Sequence, residues 1–170
     1  MDANDNVIGT ILRSKTNEPL HGFLRAAEAF LQNTDGMLWI PRRQMHKRIA
    51  PGGLDYSMAE HVKSGESYLD ACIRGFSEEL NLSIKGSDLQ FIHKFPPRDN
   101  PIYFRTLYLY LSNKSPDYNP DDFTGYEWLT PKELLKRLEA GDSAKRSLQE
   151  TVAWLIKNEF GHRHRDNKPE

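Results

Sequence analysis

The sequence predicts an α/β fold, an α/β/α sandwich in which helices cover both faces of a mixed β-sheet. Short runs rich in β-branched and aromatic residues recur along the chain and are typical of strands. Two or three segments with apolar residues at helical spacing flank these runs, as in layered α/β domains. With 170 residues, the chain has the usual length of one domain and can bury a core. We therefore predict a single domain over residues 1–170.

The N-terminal half begins with a predicted β-hairpin. Residues 23–31 and 37–40 are two strand-length runs, and the Asp-Gly pair at 35–36 between them is a turn signal. The first run is rich in alanine and would suit a helix by propensity alone, but the turn favours a strand. The second run leads into Arg42 and Arg43. Guanidinium groups suit phosphate oxygens, although ordinary surface arginines would look the same in the sequence.

The most informative helix lies within residues 60–82, EHVKSGESYLDACIRGFSEELNL. Ser67 and Asp70 have the spacing of a capping box, which predicts that the helix begins there. Apolar residues then recur at three- and four-residue steps and form one stripe: Leu69, Ile73, Phe76 and Leu80. Cys72 lies on or near this stripe, and we predict that it is a core residue and not a nucleophile.

The C-terminal half predicts three more strands and two helices. The strands are the runs at 89–95, 102–111 and 123–129. Thr130 as the cap and Pro131 in the first turn predict a helix that ends at Gly141. A last helix is predicted over residues 143–160, before a polar tail, 161–170, that we expect to be mobile.

Composition excludes several classes of function. The net charge of −1 gives no electrostatic basis for binding nucleic acid or an anionic membrane. No apolar run is long enough to span a bilayer, and the polar start MDANDNVIGT does not resemble a signal peptide. A single cysteine excludes an internal disulfide framework and fits a reducing compartment. We therefore expect a cytoplasmic protein.

One face of the central helix carries an informative charge pattern. Arg74 and Glu78 are four residues apart, so they are neighbours on that face, and Glu79 lies beside them. Carboxylates this close repel each other unless a cation lies among them. Arg74 supplies part of the counter-charge, and a divalent metal ion, which prefers oxygen ligands, could supply the rest. A solvated helix face without a function would show the same spacing.

This stretch resembles the Nudix box, Gly-x5-Glu-x7-Arg-Glu-U-x-Glu-Glu-x-Gly-U, in which U is a bulky aliphatic residue. Phe76 fills one U position with an aromatic ring. Five further residues fall on their motif positions: Glu66, Arg74, Glu78, Glu79 and Leu82. The wider string PGGLDYSMAEHVKSGESYLDA is similar to the branch related to isopentenyl-diphosphate isomerase. The resemblance implies a Nudix-type sandwich with the box helix beside a cleft.

Three positions depart from the motif. Glu60 and Asn81 replace its two glycines, and Gly75 replaces the glutamate of Arg-Glu. Asn81 can end a helix in the left-handed conformation as glycine does, whereas Glu60 would be strained at positive φ. Gly75 removes a carboxylate that commonly contributes to metal binding in the family. Ala59 stands where the isomerases carry a catalytic cysteine, so isomerisation by that route is not available.

The resemblance implies a site for Mg²⁺, with Mn²⁺ as the alternative ion. Glu78 and Glu79 are expected to hold the ion against a substrate diphosphate and to act in catalysis with it. Glu66 and Asp122 are expected to be auxiliary ligands through water. Arg74 is expected to orient Glu78 and to hold the cluster together.

The same resemblance assigns further residues. In similar proteins a strand that ends in Arg-Arg lies beside the substrate phosphates, so Arg42 and Arg43 are expected to bind them, and Arg42 is the preferred one. A carboxylate often precedes the tryptophan that begins the next element. Asp122 has that place relative to Trp128, and Glu127 is the nearer alternative.

The implied activity is hydrolysis of the pyrophosphate linkage in nucleoside di- or triphosphates or in nucleoside diphosphate derivatives. The alternative, raised by Gly75, is a catalytically silent module that keeps the fold and binds nucleotides or regulates. The expected partner is a nucleotide or another diphosphate small molecule, and neither nucleic acid nor a membrane. Relatives often dimerise, so a homodimer is a candidate assembly.

Overall fold

A computed structural model describes residues 1–16, 21–98 and 102–158. Its strands and helices follow in this order: β1 (Leu24–Gln32), β2 (Leu38–Arg43), β3 (Met58–His61), α1 (Tyr68–Leu80), β4 (Leu89–Phe95), β5 (Tyr103–Leu111), β6 (Phe123–Leu129), α2 (Pro131–Glu139) and α3 (Leu148–Lys157). These elements confirm the predicted strands and the first two predicted helices. The predicted tail, 161–170, and the predicted end of the last helix at Phe160 lie outside the described residues.

β1 is the centre of a six-stranded mixed sheet. Five strands follow the order β4-β5-β1-β2-β6, and the sixth, β3, pairs with β1 alone. It runs parallel to β5 along its whole length, from Leu24 opposite Tyr103 to Gln32 opposite Leu111. Its other edge is shared, because β3 and β2 pair with it in turn, both antiparallel. The β1–β2 turn places Gly36 at φ 79°, as the hairpin signal predicts. The mixed sheet is therefore confirmed.

The side chains of β1 alternate between two cores, one on each face of the sheet. Ala27, Ala29 and Leu31 belong to the core beneath α1, which also contains Phe76. Phe30 belongs to the opposite core, beneath α2 and α3. The alanines that give this strand its helix-like composition are small enough to let α1 lie close to the sheet. The predicted α/β/α sandwich is the observed architecture.

The core beneath α1 also settles the predicted role of the single cysteine. Cys72 is fully buried there, and burial raises the pKa of its thiol. A thiol of this kind is a packing group and not a nucleophile. Among the described residues, no helix is both long and apolar enough to cross a bilayer.

The last helix begins later than predicted. The prediction placed its start at Ser143, but α3 begins at Leu148, after Ser147. The preceding residues pair instead with Leu54: its N–H donates to the Ser143 carbonyl at 2.7 Å, and Lys145 N–H donates to the Leu54 carbonyl at 2.9 Å. The prediction was wrong because local apolar spacing carries no information about such a distant partner. The pairing fixes Lys145 beside the sheet.

A buried polar network lies between the sheet and α3. Arg105, only 4% exposed, donates to the Glu28 carboxylate at 2.9 Å and to the hydroxyls of Tyr56 and Thr151 at 3.2 and 3.0 Å. Burial raises the pKa of Glu28, and the charge of Arg105 opposes that rise. A buried charge without its partner is strongly destabilising, so Arg105 and Glu28 depend on each other.

Asp5 anchors the N-terminal segment to three elements of the fold. Its carboxylate accepts from Arg25 of β1 at 2.6 Å, from the Tyr68 hydroxyl of α1 at 2.9 Å, and from Lys94 of β4. Burial opposes ionisation of Asp5, but these hydrogen bonds outweigh it and lower the pKa of the carboxyl group. Asp5 also holds φ at 65°, a conformation that Asp and Asn tolerate better than most residues.

Removal of Arg105 is expected to destabilise the protein strongly. Arg105→Ala leaves Glu28 buried without its partner, and we expect the free energy of unfolding to fall by about 3–5 kcal/mol. The control is Arg98→Ala, because Arg98 pairs with Glu150 of α3 at 2.8 Å while its side chain is 70% exposed. Such an exposed pair contributes at most about 1 kcal/mol. Urea denaturation measures both losses, and equal losses would contradict the assigned role of burial.

The Asp5 anchor is expected to make stability depend on pH. Since its pKa is lowered on folding, the stabilisation is complete above the ordinary aspartate pKa of about 3.9 and is lost as the pH falls through the folded-state value. Asp5→Asn keeps the side-chain shape and tolerates the same backbone. It should cost about 1–2 kcal/mol at pH 7 and progressively less below about pH 4. Urea unfolding of both proteins from pH 3 to 7 tests this, and a constant difference refutes it.

Candidate active site

Arg74 of α1 gathers the acidic side chains of the predicted site. Its Nε donates to Glu66 at 2.7 Å, and its Nη2 donates to Glu66 at 3.0 Å and to the His61 carbonyl at 2.8 Å. Its Nη1 donates to Glu60 and to Glu78, each at 3.0 Å. All five guanidinium hydrogens are thereby used. The structure thus brings Glu66, Arg74 and Glu78 together as the sequence predicted and adds Glu60 to them.

The caps of α1 fix the bounds of the helix on which Arg74 and Glu78 lie one turn apart. Ser67 and Asp70 form both bonds of the predicted capping box. At the other end Asn81 adopts the left-handed conformation with φ 52°, so asparagine replaces the motif glycine without loss of the helix end. The strain foreseen for Glu60 is not found: Glu60 lies in β3 opposite Ala27, with an ordinary strand backbone.

Gly75 faces β3 at very short range. A Cβ on residue 75 would lie 2.3 Å from Met58 Sδ and 3.0 Å from Glu60 Cγ. Both distances are too short for carbon in a packed core. The glutamate that the motif places at position 75 therefore has no room while Met58 and Glu60 keep their positions.

Glu79 is half-buried and lies near the C-terminal end of α1. Its carboxylate accepts from the Ala59 N–H at 3.3 Å. Burial raises the pKa of Glu79 well above its usual value, and the nearby charge of Lys145 opposes that rise. Three further carboxylates raise it again, those of Asp55, Glu60 and Asp122. This is the site's main electrostatic feature: a partly desolvated acid among like charges, which a cation would relieve.

Three basic residues pair with the carboxylates whose charges act on Glu79. Asp55, which is 2% exposed, forms ion pairs with Arg43 and, at 3.4 Å, with Lys145. Lys47 pairs with Asp122 in the same region. Sequence reasoning missed Asp55 and Lys145, and no local signal could have found them, because the loop before α3 brings Lys145 to the site from a distant part of the chain.

The two predicted phosphate-binding arginines have different surroundings. Arg43 reaches Asp55 and therefore faces the Glu79 region. Arg42 instead donates to the Gly52 carbonyl at 2.9 Å and to Asp142 at 3.3 Å, away from the acidic cluster. Consecutive side chains of a strand point to opposite faces of the sheet, so the two arginines of β2 meet different neighbours, and the preferred Arg42 is the one directed away from Glu79. Glu127 likewise pairs with Arg137, so Asp122 is the better placed of the two proposed carboxylates.

The donors of this site suit a hard divalent cation, although they are not gathered around one point. Glu60, Glu66, Glu78 and Glu79 offer only carboxylate oxygens, the ligands that Mg²⁺ prefers. Within the part of the chain that the structure describes, no three acidic, histidine or cysteine side chains stand close enough to hold a metal ion as they are. Glu78 is already paired through both carboxylate oxygens: Oε2 with Arg74 at 3.0 Å and Oε1 with Lys63 at 3.6 Å. A cation would have to draw Glu78 from these partners.

A cavity of about 970 Å³ adjoins the acidic cluster. One wall is the N-terminal segment, whose Val7 and Ile8 are 67% and 60% exposed. The other wall contains Glu60, His61 and Glu78. Burial, with smaller contributions from nearby cations, lowers the pKa of His61 to about 4, so its ring is neutral at pH 7. The cavity therefore joins an apolar wall to a carboxylate end.

Comparisons with known proteins identify the family and agree with the fold. Residues 22–151 match the family model of the NUDIX domain. A Nudix hydrolase from Deinococcus radiodurans is 39% identical over 161 residues, which cover 94% of this chain and 93% of the relative. A crystal structure of a Deinococcus radiodurans protein superposes with a TM-score of 0.82 at 40% identity and covers 89% of this chain and 94% of that one. An isopentenyl-diphosphate Delta-isomerase from Kocuria rhizophila is 25% identical over 152 residues, covering 85% of this chain and 83% of the relative.

The close approach of α1 to β3 gives a stability prediction. Alanine is favoured over glycine inside a helix by about 1 kcal/mol. Gly75→Ala should nevertheless lower the free energy of unfolding by about 1–3 kcal/mol, because its Cβ overlaps the buried Met58 side chain. Ser77→Ala, on the exposed face of the same helix, is the control and should be neutral or slightly stabilising. Thermal or urea unfolding decides, and a stabilised Gly75→Ala protein would refute the close packing.

Proposed function

Because the chain belongs to the Nudix family, we propose that it hydrolyses the pyrophosphate linkage of nucleoside di- or triphosphates or of nucleoside diphosphate derivatives. The proposed cofactor is Mg²⁺, with Mn²⁺ as the alternative. The observation that carries the proposal is the arrangement on α1: Arg74 holds Glu66 and Glu78, and half-buried Glu79 follows on the same turn. The single cysteine supports a reducing, cytoplasmic setting.

We assign the cation to Glu78 and Glu79, with Glu66 and Asp122 as auxiliary ligands through water. A bound divalent cation supplies charge neutralisation for the diphosphate and lowers the pKa of water. Arg74 keeps Glu66 and Glu78 in place through its fixed planar fork. Glu79 would act in catalysis as a ligand of the cation, together with Glu78, and would thereby help to position the attacking water.

The basic residues beside Glu79 are suited to the phosphates. Arg43 and Lys145 are both held by Asp55, so their charges are fixed next to the acidic cluster. Fixed cations stabilise charge that develops on phosphoryl oxygens, and they do so without reorganisation. Arg43, with its planar donors, is the stronger candidate for a bidentate phosphate contact. The neighbouring cavity, with its apolar wall at Val7 and Ile8, offers room for the organic part of the substrate.

A catalytically silent nucleotide-binding or regulatory module is the alternative, and Gly75 is the observation that favours it. Loss of a box carboxylate removes a possible metal ligand. An isomerase is not proposed, although several relatives carry that name, because Ala59 has no group that can transfer a proton.

An activity assay separates the two functions. Wild-type protein with Mg²⁺ should release phosphate or pyrophosphate from at least one member of a panel of nucleoside di- and triphosphates. Glu79→Gln removes the ionisable group and should lower kcat by about 10²-fold or more. Glu139→Gln, an exposed change on α2, is the matched control and should behave as wild type. Turnover at background in the wild type would favour the silent module, and full activity of Glu79→Gln would refute the assigned role.

A further inference from the structure

We propose that Glu60 supplies the metal-binding carboxylate that position 75 lacks, so that the cation site is formed by Glu60, Glu78 and Glu79. The inference rests on the proposed function, since it concerns the same cation. It goes beyond the box motif, which has glycine at the position of Glu60. Gly75 and Glu60, two departures from the motif, then have one explanation: the carboxylate that the motif places on α1 is supplied by the facing strand β3. We call this replacement the exchange.

The first support is that the two positions share one space. A Cβ on residue 75 would lie 3.0 Å from Glu60 Cγ, so the side chain of Glu60 already fills the volume into which a glutamate at position 75 would extend. Met58 closes the remaining room, with its Sδ 2.3 Å from that Cβ. Glu60 and Met58 together leave no room for a side chain at position 75, and glycine there accommodates both.

The second support is that Glu60 presents its carboxylate to the site. β3 holds its backbone by pairing it with Ala27, and the side chain turns to Arg74, whose Nη1 it meets at 3.0 Å. The same nitrogen binds Glu78 at 3.0 Å. The two carboxylates therefore approach each other around one donor, and both border the cavity. Glu60 also lies close enough to Glu79 for its charge to act there, and Glu79 follows Glu78 directly in α1.

A purely structural role for Glu60 would be to pair with Arg74 and nothing more. That role predicts an effect on stability and none on cation affinity. Arg74 has four other hydrogen bonds, two to Glu66 and one each to Glu78 and to the His61 carbonyl, so the loss of one would leave it well held. Cation affinity is thus the measurement that tells the two roles apart.

The test is Mn²⁺ binding to the full chain without nucleotide, followed by electron paramagnetic resonance of free Mn²⁺. Glu60→Gln keeps the side-chain shape and removes the charge, and it should weaken Mn²⁺ binding about tenfold or more, as Glu78→Gln does. Glu139→Gln, exposed on α2, is the control and should bind Mn²⁺ as the wild type does. A folded Glu60→Gln protein with unchanged Mn²⁺ affinity would overturn the proposal.

A reversal of the exchange gives the second arm. Glu60→Gly alone should lose Mn²⁺ affinity. The triple variant Glu60→Gly, Gly75→Glu and Met58→Ala restores the motif at both positions and removes the side chain that lies 2.3 Å from a Cβ on residue 75, and it should regain most of the affinity. Recovery supports the exchange. A folded triple variant that binds Mn²⁺ no better than Glu60→Gly would count against it.

The two proposals fail separately. If the wild type hydrolyses nucleotides while Glu60→Gln keeps both activity and Mn²⁺ affinity, the exchange is wrong and the hydrolase stands. If Mn²⁺ binding depends on Glu60 while no nucleotide is hydrolysed, the exchange stands and the hydrolase is wrong.

Discussion

The guanidinium group of Arg74 is the interaction on which the rest of the site depends. It is the only group among the described residues that bonds Glu60, Glu66 and Glu78 together, and its fifth hydrogen reaches the carbonyl of His61. Through these bonds it joins β3, the loop before α1 and α1 itself. Carboxylates from three segments can approach each other only because one fixed cation lies among them.

Packing sets the distance between α1, which carries the Arg74 guanidinium, and the strands that face it. Small residues in β1, Ala27 and Ala29, allow α1 to lie against the sheet, and Gly75 extends the same close contact to β3. The contact explains why a departure from the box motif occurs at this position and why Glu60, one strand away, is affected by it. A substitution in the core at Met58 or Gly75 would therefore also displace Glu60 in the candidate site.

Much of the fold was predictable because its signals are local. The Ser67–Asp70 capping box, Asn81 at the helix end and the Asp-Gly turn each act within a few residues, and each holds in the structure. What failed was not local: the segment after Ser143 pairs with Leu54, which is distant in the sequence. Two adjacent arginines of a strand point to opposite faces of the sheet, and only the fold shows which of them meets Asp55. The acids of the box and Arg43 were found in the sequence, whereas Asp55 and Lys145 were not.

The charges of the site also bear on whether it is active. Half-buried Glu79 lies near the carboxylates of Asp55, Glu60 and Asp122, an arrangement that repels itself and lowers the stability of the fold. A module without a cation would gain stability from an amide at position 79, because no basic side chain among the described residues forms an ion pair with that carboxylate. This chain instead has a carboxylate at position 60, where the box motif has none, opposite the position where one is missing. Compared with the box motif, the site loses one carboxylate at position 75 and gains one at position 60, so their number is unchanged. A site that binds a divalent cation requires such a set of oxygen ligands.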